Sequence, residues 1–250
     1  MKTFKADLHI HTVLSPCGDL EMSPRNIVQA AKNAGLDIVG ITDHNSTKQC
    51  KVVKALAAKN DLHVLCGVEI NSLEEVHCLA FFDTSSNLDD FQIYIDKHLT
   101  FIPNDTKKFG YQVLVDANDV ILEHEDRLLL AALDVGIEAI EKKVHQLDGL
   151  FIPAHVNRER FSVLSQLGFI PTDLEVDALE ISRHMGPERF NHEYPNYRNH
   201  AFITSSDAHF VEDIGKAMTQ FRLDSPTVAE LRKALHHQDG RKIEALLQSN

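Results

Sequence analysis

The chain reads as an α/β protein built on a mainly parallel sheet or barrel. Short apolar runs of β character alternate with helical patterns along most of its 250 residues, and helix start and stop signals separate them. Histidines and carboxylates recur where the apolar runs end, which is where the loops of a parallel sheet gather.

Residues 3–10 form the first strand and lead into a loop holding Ser15, Pro16 and Gly18. Ser23-Pro24 supplies an N-cap with proline at the first helical position. Ile27, Ala30, Ala31 and Ala34 mark the apolar face of that helix, and Gly35 closes it. Residues 37–42 (DIVGIT) read as a buried strand and 46–60 as a helix turning Val52, Val53, Leu56 and Ala57 inward. Strands follow at 63–67 and 77–82, then a helix at 88–99. Residues 102–149 carry Leu128, Leu129, Leu133, Ile137, Ile140 and Val144 at roughly helical spacing, which predicts a helical insertion between the fourth and fifth strands, placed to act as a lid. Strands at 150–154, 178–181 and 201–205 and a last helix at 226–236 bring the count to about seven strands. No linker divides the sequence, so one domain over 1–250 is expected.

The hydrophobic fraction of 43% and charged fraction of 25% are those of an ordinary globular protein. No apolar run approaches the roughly 20 residues that span a bilayer, so no membrane partner is expected. Four cysteines without a CxxC pair, and no signal-like start, point to the cytoplasm. A formal net charge of -12 argues against duplex nucleic acid as a partner, because phosphate backbones are bound through clustered Lys and Arg. It leaves room for a small phosphorylated substrate at a locally positive metal centre, and the oligomeric state stays open.

His9 and His11 lie two apart on a strand, so both imidazoles project from one face while Leu8 and Ile10 take the other. HxH alone is a weak signal. Its weight comes from company: Asp43-His44 ends the second strand, Glu69 closes the third, His77 opens the fourth, His155 closes the fifth, and Asp207 and His209 follow the seventh. Imidazole and carboxylate donors together suit Zn²⁺, Mn²⁺ or Fe.

The series Asp7-Leu8-His9-Ile10-His11-Thr12, Thr42-Asp43-His44-Asn45, Gly67-Val68-Glu69, His77, Pro153-Ala154-His155 and Ser206-Asp207-Ala208-His209 resembles the PHP (polymerase and histidinol phosphatase) superfamily. The resemblance implies a distorted seven-stranded (β/α) barrel with two or three divalent ions at its C-terminal face. It implies one ion on His9, His11, Glu69 and Asp207, a second on Glu69, His77 and His155, and a third on His44, His209 and an acidic residue of the first loop. Asp19 is taken for that last position, with Glu21 as the fallback. The implied chemistry is hydrolysis of a small phosphorylated substrate, a nucleotide or metabolite phosphate, by a metal-activated hydroxide, with no protein nucleophile. Short oligonucleotides and a non-catalytic metal-binding role are the alternatives.

Asp43 is expected behind the ligands, orienting a histidine. Arg158 and Arg183 are candidates to clamp a phosphate, with surface ion pairing as the competing explanation. Cys17 shares the first loop with Asp19 and is read as an ordinary loop cysteine rather than a ligand.

Overall fold

The computed structural model describes residues 1–248. Its strands are β1 (Lys2–Ile10), β2 (Ile38–Ile41), β3 (His63–Asn71), β4 (His77–Phe82), β5 (Val113–Val115), β6 (Ile121–His124), β7 (Leu150–Pro153), β8 (Leu179–Glu180), β9 (Phe202–Ile203), β10 (Ala217–Leu223) and β11 (Lys242–Gln248). The helices are α1 (Pro24–Asn33), α2 (Cys50–Ala57), α3 (Ser85–His98), α4 (Ile137–Gln146), α5 (Val163–Leu167), α6 (Pro187–Glu193) and α7 (Val228–Leu235). As the sequence predicts, Ser23 caps α1 with Pro24 in its first turn.

The α/β class holds, with a curled seven-stranded sheet in the order β11-β10-β1-β2-β3-β4-β7. Its composition differs from the sequence expectation. The runs at 178–181 and 201–205 form a separate parallel pair, β8 with β9, while β10 and β11 complete the large sheet. Within the large sheet only β1, β2 and β3 run parallel; β3 with β4, β4 with β7, β1 with β10 and β10 with β11 are antiparallel. The connection between β3 and β4, residues 72–76, is too short for a crossover and can only make a hairpin. That reversal positions the site: it sets Asn71 opposite His77, so the start of β4 lies at the end of the sheet where β1, β2 and β3 finish.

The helical insertion expected over 102–149 is corrected. Helix is confined to α4 at its end, and the segment before it holds the β5–β6 hairpin and turns. The apolar stripe misled because Leu128, Leu129 and Leu133 are buried from loops, by tertiary packing rather than by helical periodicity.

The sheet separates two cores. One packs strand residues against α1, α2, α3 and α4; the other gathers Leu8, Leu65, Phe81, Ile152 and Phe221 under α7. Simple alternation along β1 fails, since Leu8 belongs to the second core and Ile10 to the first. The pairing of β1 with β2 shifts register between Asp7 and Ile10, and such an irregularity re-aims side chains. Beside it, β2 approaches so closely that a Cβ on Gly40 would lie 2.4 Å from the carbonyl oxygen of Leu8.

Candidate metal centre

The strand ends bring His9, His11, His44, Glu69, His77, His155, Asp207 and His209 into one cluster. Glu69, 1% exposed, is at its middle. Its Oε1 lies 2.8 Å from His77 Nδ1, 3.1 Å from His155 Nε2 and 3.4 Å from His9 Nε2. Its Oε2 lies 3.1 Å from His44 Nδ1 and 3.3 Å from His11 Nε2. Asp207 Oδ1 stands 3.4 Å from His9 Nε2 and 3.5 Å from His11 Nε2.

Hydrogen bonds behind the cluster decide which nitrogens face it. Asp43 is buried, and its carboxylate accepts from Thr12 N (2.7 Å), Thr12 Oγ1 (2.8 Å) and Ser15 Oγ (2.7 Å). Having donated to Asp43, Ser15 Oγ can only accept from His11 Nδ1, at 3.0 Å. The proton is therefore on Nδ1, and His11 offers the Nε2 lone pair inward. Asp43 thus orients His11 through Ser15 rather than its neighbour His44.

The sequence reading missed Glu180. It is buried, accepts from His9 Nδ1 at 3.0 Å, and accepts the backbone N–H of His155 at 3.0 Å. It thereby does for His9 what Ser15 does for His11. A charged residue inside the apolar run Ala178-Leu179-Glu180-Ile181 was the signal that could have found it. Asp7 has a tying role: its buried carboxylate accepts from Ser206 N at 2.9 Å and Gly215 N at 2.8 Å, holding the first strand to the loop that carries Asp207. Burial raises Asp7 to about 6, against those hydrogen bonds.

The electrostatics are those of a site that wants positive charge. Burial pushes Glu69 up, but the imidazoles of His77, His9 and His44 more than offset it and hold Glu69 well below the usual carboxylate range. Asp207 is likewise held well below its usual range, burial being outweighed by His9, His11, His155 and Arg158. Burial opposes protonation of His9, yet Glu180, Asp207 and Glu69 raise it well above an ordinary histidine.

A metal fits these residues. His9 Nε2 and His11 Nε2 approach to 3.2 Å, so the two rings converge on one position that a cation can share. The buried Nδ1 atoms of His44 and His155 and the buried Oδ2 of Asp207 have no hydrogen-bond partner, although His44 and Asp207 keep ion-pair distances to Glu69 and Arg158. Three positions in or beside the cluster carry left-handed backbone, Asn45 (φ 45), His155 (φ 30) and Asp207 (φ 52), a conformation that costs non-glycine residues energy and collects at functional sites.

Asp19 and Glu21 face elsewhere. Asp19 Oδ1 accepts from the backbone of Glu21, and Glu21 bonds Asn26 on the surface. In their place the loop brings Cys17 toward His11, His44 and His209. Arg158 reaches the site, its Nη2 2.7 Å from Asp207 Oδ2 with the side chain 43% exposed. Arg183 instead pairs with Asp213 at 3.3 Å. Beside His77 opens a cavity of about 560 Å³ lined by Leu73, Ile102, Phe109, Leu128 and Phe161, and the Phe161 ring stacks on His77 with centroids 4.7 Å apart.

The PHP domain profile matches residues 7–167, and a PHP-associated profile matches 192–239. The uncharacterized protein YqxK of Bacillus subtilis is 24% identical over 275 aligned residues, covering 97% of this chain and 64% of that protein. Among solved structures, the lesion-specific endonuclease PfuEndoQ of Pyrococcus furiosus superposes with a TM-score of 0.78 at 21% identity, over 100% of this chain and 60% of that one. Endonuclease Q in complex with a 27-mer duplex substrate, an abasic lesion at its active site, superposes at 0.75 and 21% identity, over 98% and 59%. The chain therefore spans about three fifths of the length of these three proteins.

The expectation that an acidic balance excludes a duplex partner is corrected by that complex, in which a protein of this fold holds duplex DNA. Net charge averages the whole surface, whereas a phosphate is met by the local field of one face. Among the described residues, no helix is long and apolar enough to cross a membrane.

Proposed function

The chain belongs to the PHP family, and on that footing we propose that it is a metal-dependent phosphoesterase whose substrate is a phosphodiester of nucleic acid. The observation that carries the reaction class is the ring of imidazoles and carboxylates converging on the buried Glu69. His9, His11, Glu69 and Asp207 would hold one divalent ion, and His77, His155 and Glu69 a second, Zn²⁺, Mn²⁺ or Fe by donor type. When bound, such ions supply Lewis acidity toward phosphoryl oxygens and an activated water, so no serine or cysteine nucleophile is needed.

The protein's own groups do the rest. Glu180 and Ser15 hold the His9 and His11 rings with Nε2 inward, so that little reorganisation accompanies substrate binding. Arg158 would bind a non-bridging phosphate oxygen; its contact with Asp207 through Nη2 and its 43% exposed side chain support that reading. Phe161, 38% exposed and stacked on His77, offers a ring face at the mouth of the apolar cavity. Base stacking on such a face contributes about 1–3 kcal/mol. The likeness to endonuclease Q supports the same substrate class.

The test assays the chain, loaded with Mn²⁺ or Zn²⁺, on aryl phosphate monoesters, aryl phosphodiesters and labelled single-stranded, duplex and abasic-duplex oligonucleotides. Phosphodiester and oligonucleotide turnover at least ~10-fold above monoester turnover in kcat/KM is expected, about 1.4 kcal/mol of discrimination. Turnover of monoesters alone would overturn the substrate assignment, and full metal loading with no turnover would overturn the enzymatic one.

A further inference from the structure

We propose that Cys17, not a carboxylate, completes a further cation site with His44 and His209, making this position select Zn²⁺, Co²⁺ or Fe²⁺ over Mn²⁺ and Mg²⁺. The inference rests on reading the cluster as a metal centre. Donor atoms of His11, Cys17, His44 and His209 all lie within 4.8 Å of one another. Ligands on one tetrahedral zinc sit roughly 3.3–3.6 Å apart, given bond lengths of about 2.0–2.3 Å, so a small closure of the set suffices.

His11 has one inward lone pair, and its distances to Glu69 and Asp207 commit it to the neighbouring ion. Cys17, His44 and His209 remain. His209 donates Nδ1–H to the Asp207 carbonyl oxygen at 2.9 Å, which leaves its Nε2 as the free donor. His44 is 4% exposed; its Nδ1 makes no hydrogen bond and lies 3.1 Å from Glu69 Oε2, and a donor atom of its ring lies within 4.8 Å of those of Cys17 and His209. Three protein ligands with an open fourth position are the pattern of a working rather than a structural site.

The loop is built to present Cys17. Gly18 N donates to Ser15 O at 2.9 Å, and Asp19 N donates to His209 O at 2.9 Å, so the residues after Cys17 are pinned on both sides. Gly18 is required there, because a Cβ would lie 2.5 Å from Thr12 O. The Asp19 carboxylate turns Oδ1 back onto Glu21 N, and Asp19 is not among the donors that gather with His44 and His209. A thiolate is a softer donor than a carboxylate, and this one substitution moves the preference away from Mn²⁺ and Mg²⁺.

The experiment titrates the chelator-stripped chain with Co²⁺ and records its absorption. The wild type is expected to show visible d–d bands together with a near-ultraviolet thiolate-to-cobalt charge-transfer band. Cys17→Ser should keep the former, lose the latter and bind its weakest cobalt at least ~10-fold less tightly; Cys17→Asp should restore the stoichiometry without the band and accept Mn²⁺. A wild type with d–d bands and no charge-transfer band, or a band surviving in Cys17→Ser, overturns the assignment of Cys17 while leaving the metal centre standing. No cobalt bands at all would overturn the metal reading itself. A second measurement needs no variant: Cys17 is the exposed one of the four thiols, and saturating Zn²⁺ should slow its alkylation by iodoacetamide at least ~10-fold. Alkylation unaffected by Zn²⁺ overturns the proposal.

Discussion

Glu180 accepts the Nδ1 proton of His9 at 3.0 Å, with both side chains sealed from solvent. Because a carboxylate can only accept, this contact fixes the tautomer of His9 and aims its Nε2 at Glu69 and Asp207. Glu180→Gln keeps the shape and removes the charge, so it should weaken metal binding by about 10–100-fold while leaving the fold intact. Calorimetric Zn²⁺ titration of the stripped protein checks this; wild-type affinity in the variant would rule out the orienting role.

Asp43 accepts three hydrogen bonds, two from Thr12 and one from Ser15. In Asp43→Asn, one amide face turns a donor toward these donors, and a buried donor is left without an acceptor. A loss of about 1–3 kcal/mol in urea unfolding is expected. Ser15→Ala should cost less stability but loosen His11, so its larger effect should appear in metal retention.

Metal binding should stabilise the protein, since the ligand set exists only when the chain is folded. At free Zn²⁺ of about 100 times the dissociation constant the gain is about 2.7 kcal/mol, seen as a rise in melting temperature that EDTA reverses. Glu69→Ala removes the carboxylate common to five histidines and should abolish the Zn²⁺-dependent rise. A full rise in that variant would disprove a bridging Glu69.

Away from the metal centre, Asp177 makes stability pH-dependent. It accepts from Phe151 N at 2.8 Å, from His145 Nε2 at 3.2 Å and from His236 Nε2 at 3.2 Å. Burial raises the Asp177 pKa, but the His145, Phe151 and His236 hydrogen bonds outweigh it, and the folded value lies below the ordinary one. Its contribution is present above the unfolded value of about 3.9 and is lost as pH falls through the depressed folded value. His145 shifts the other way, raised by the Asp177 hydrogen bond against burial, with Glu141 adding to it. Its contribution is complete below the unfolded value of about 6.5 and is lost as pH rises through the raised folded value. Urea unfolding across pH should therefore show a plateau between those limits. Asp177→Asn should flatten both limbs and His145→Gln mainly the alkaline one; unchanged profiles would refute the coupling.

Local chemistry made much of this protein legible in its sequence. The N-cap at Ser23, the buried runs of β2 and β4, and the recurrence of histidines and carboxylates at strand ends follow from periodicity and residue type, which neighbours in sequence determine. Eight of the nine expected ligands, His9, His11, His44, Glu69, His77, His155, Asp207 and His209, come together in the folded chain. What tertiary structure alone decided depends on contacts between distant segments. The β3–β4 hairpin carries His77 to the same end as Glu69, loop packing rather than a helix buries Leu128 and Leu133, and a strand far along the chain delivers Glu180 to His9. The first loop is the sharpest case. Asp19 and Cys17 are two residues apart, and residue type favoured the carboxylate; the backbone bonds around Gly18 and the turn that engages Asp19 Oδ1 present the thiol instead.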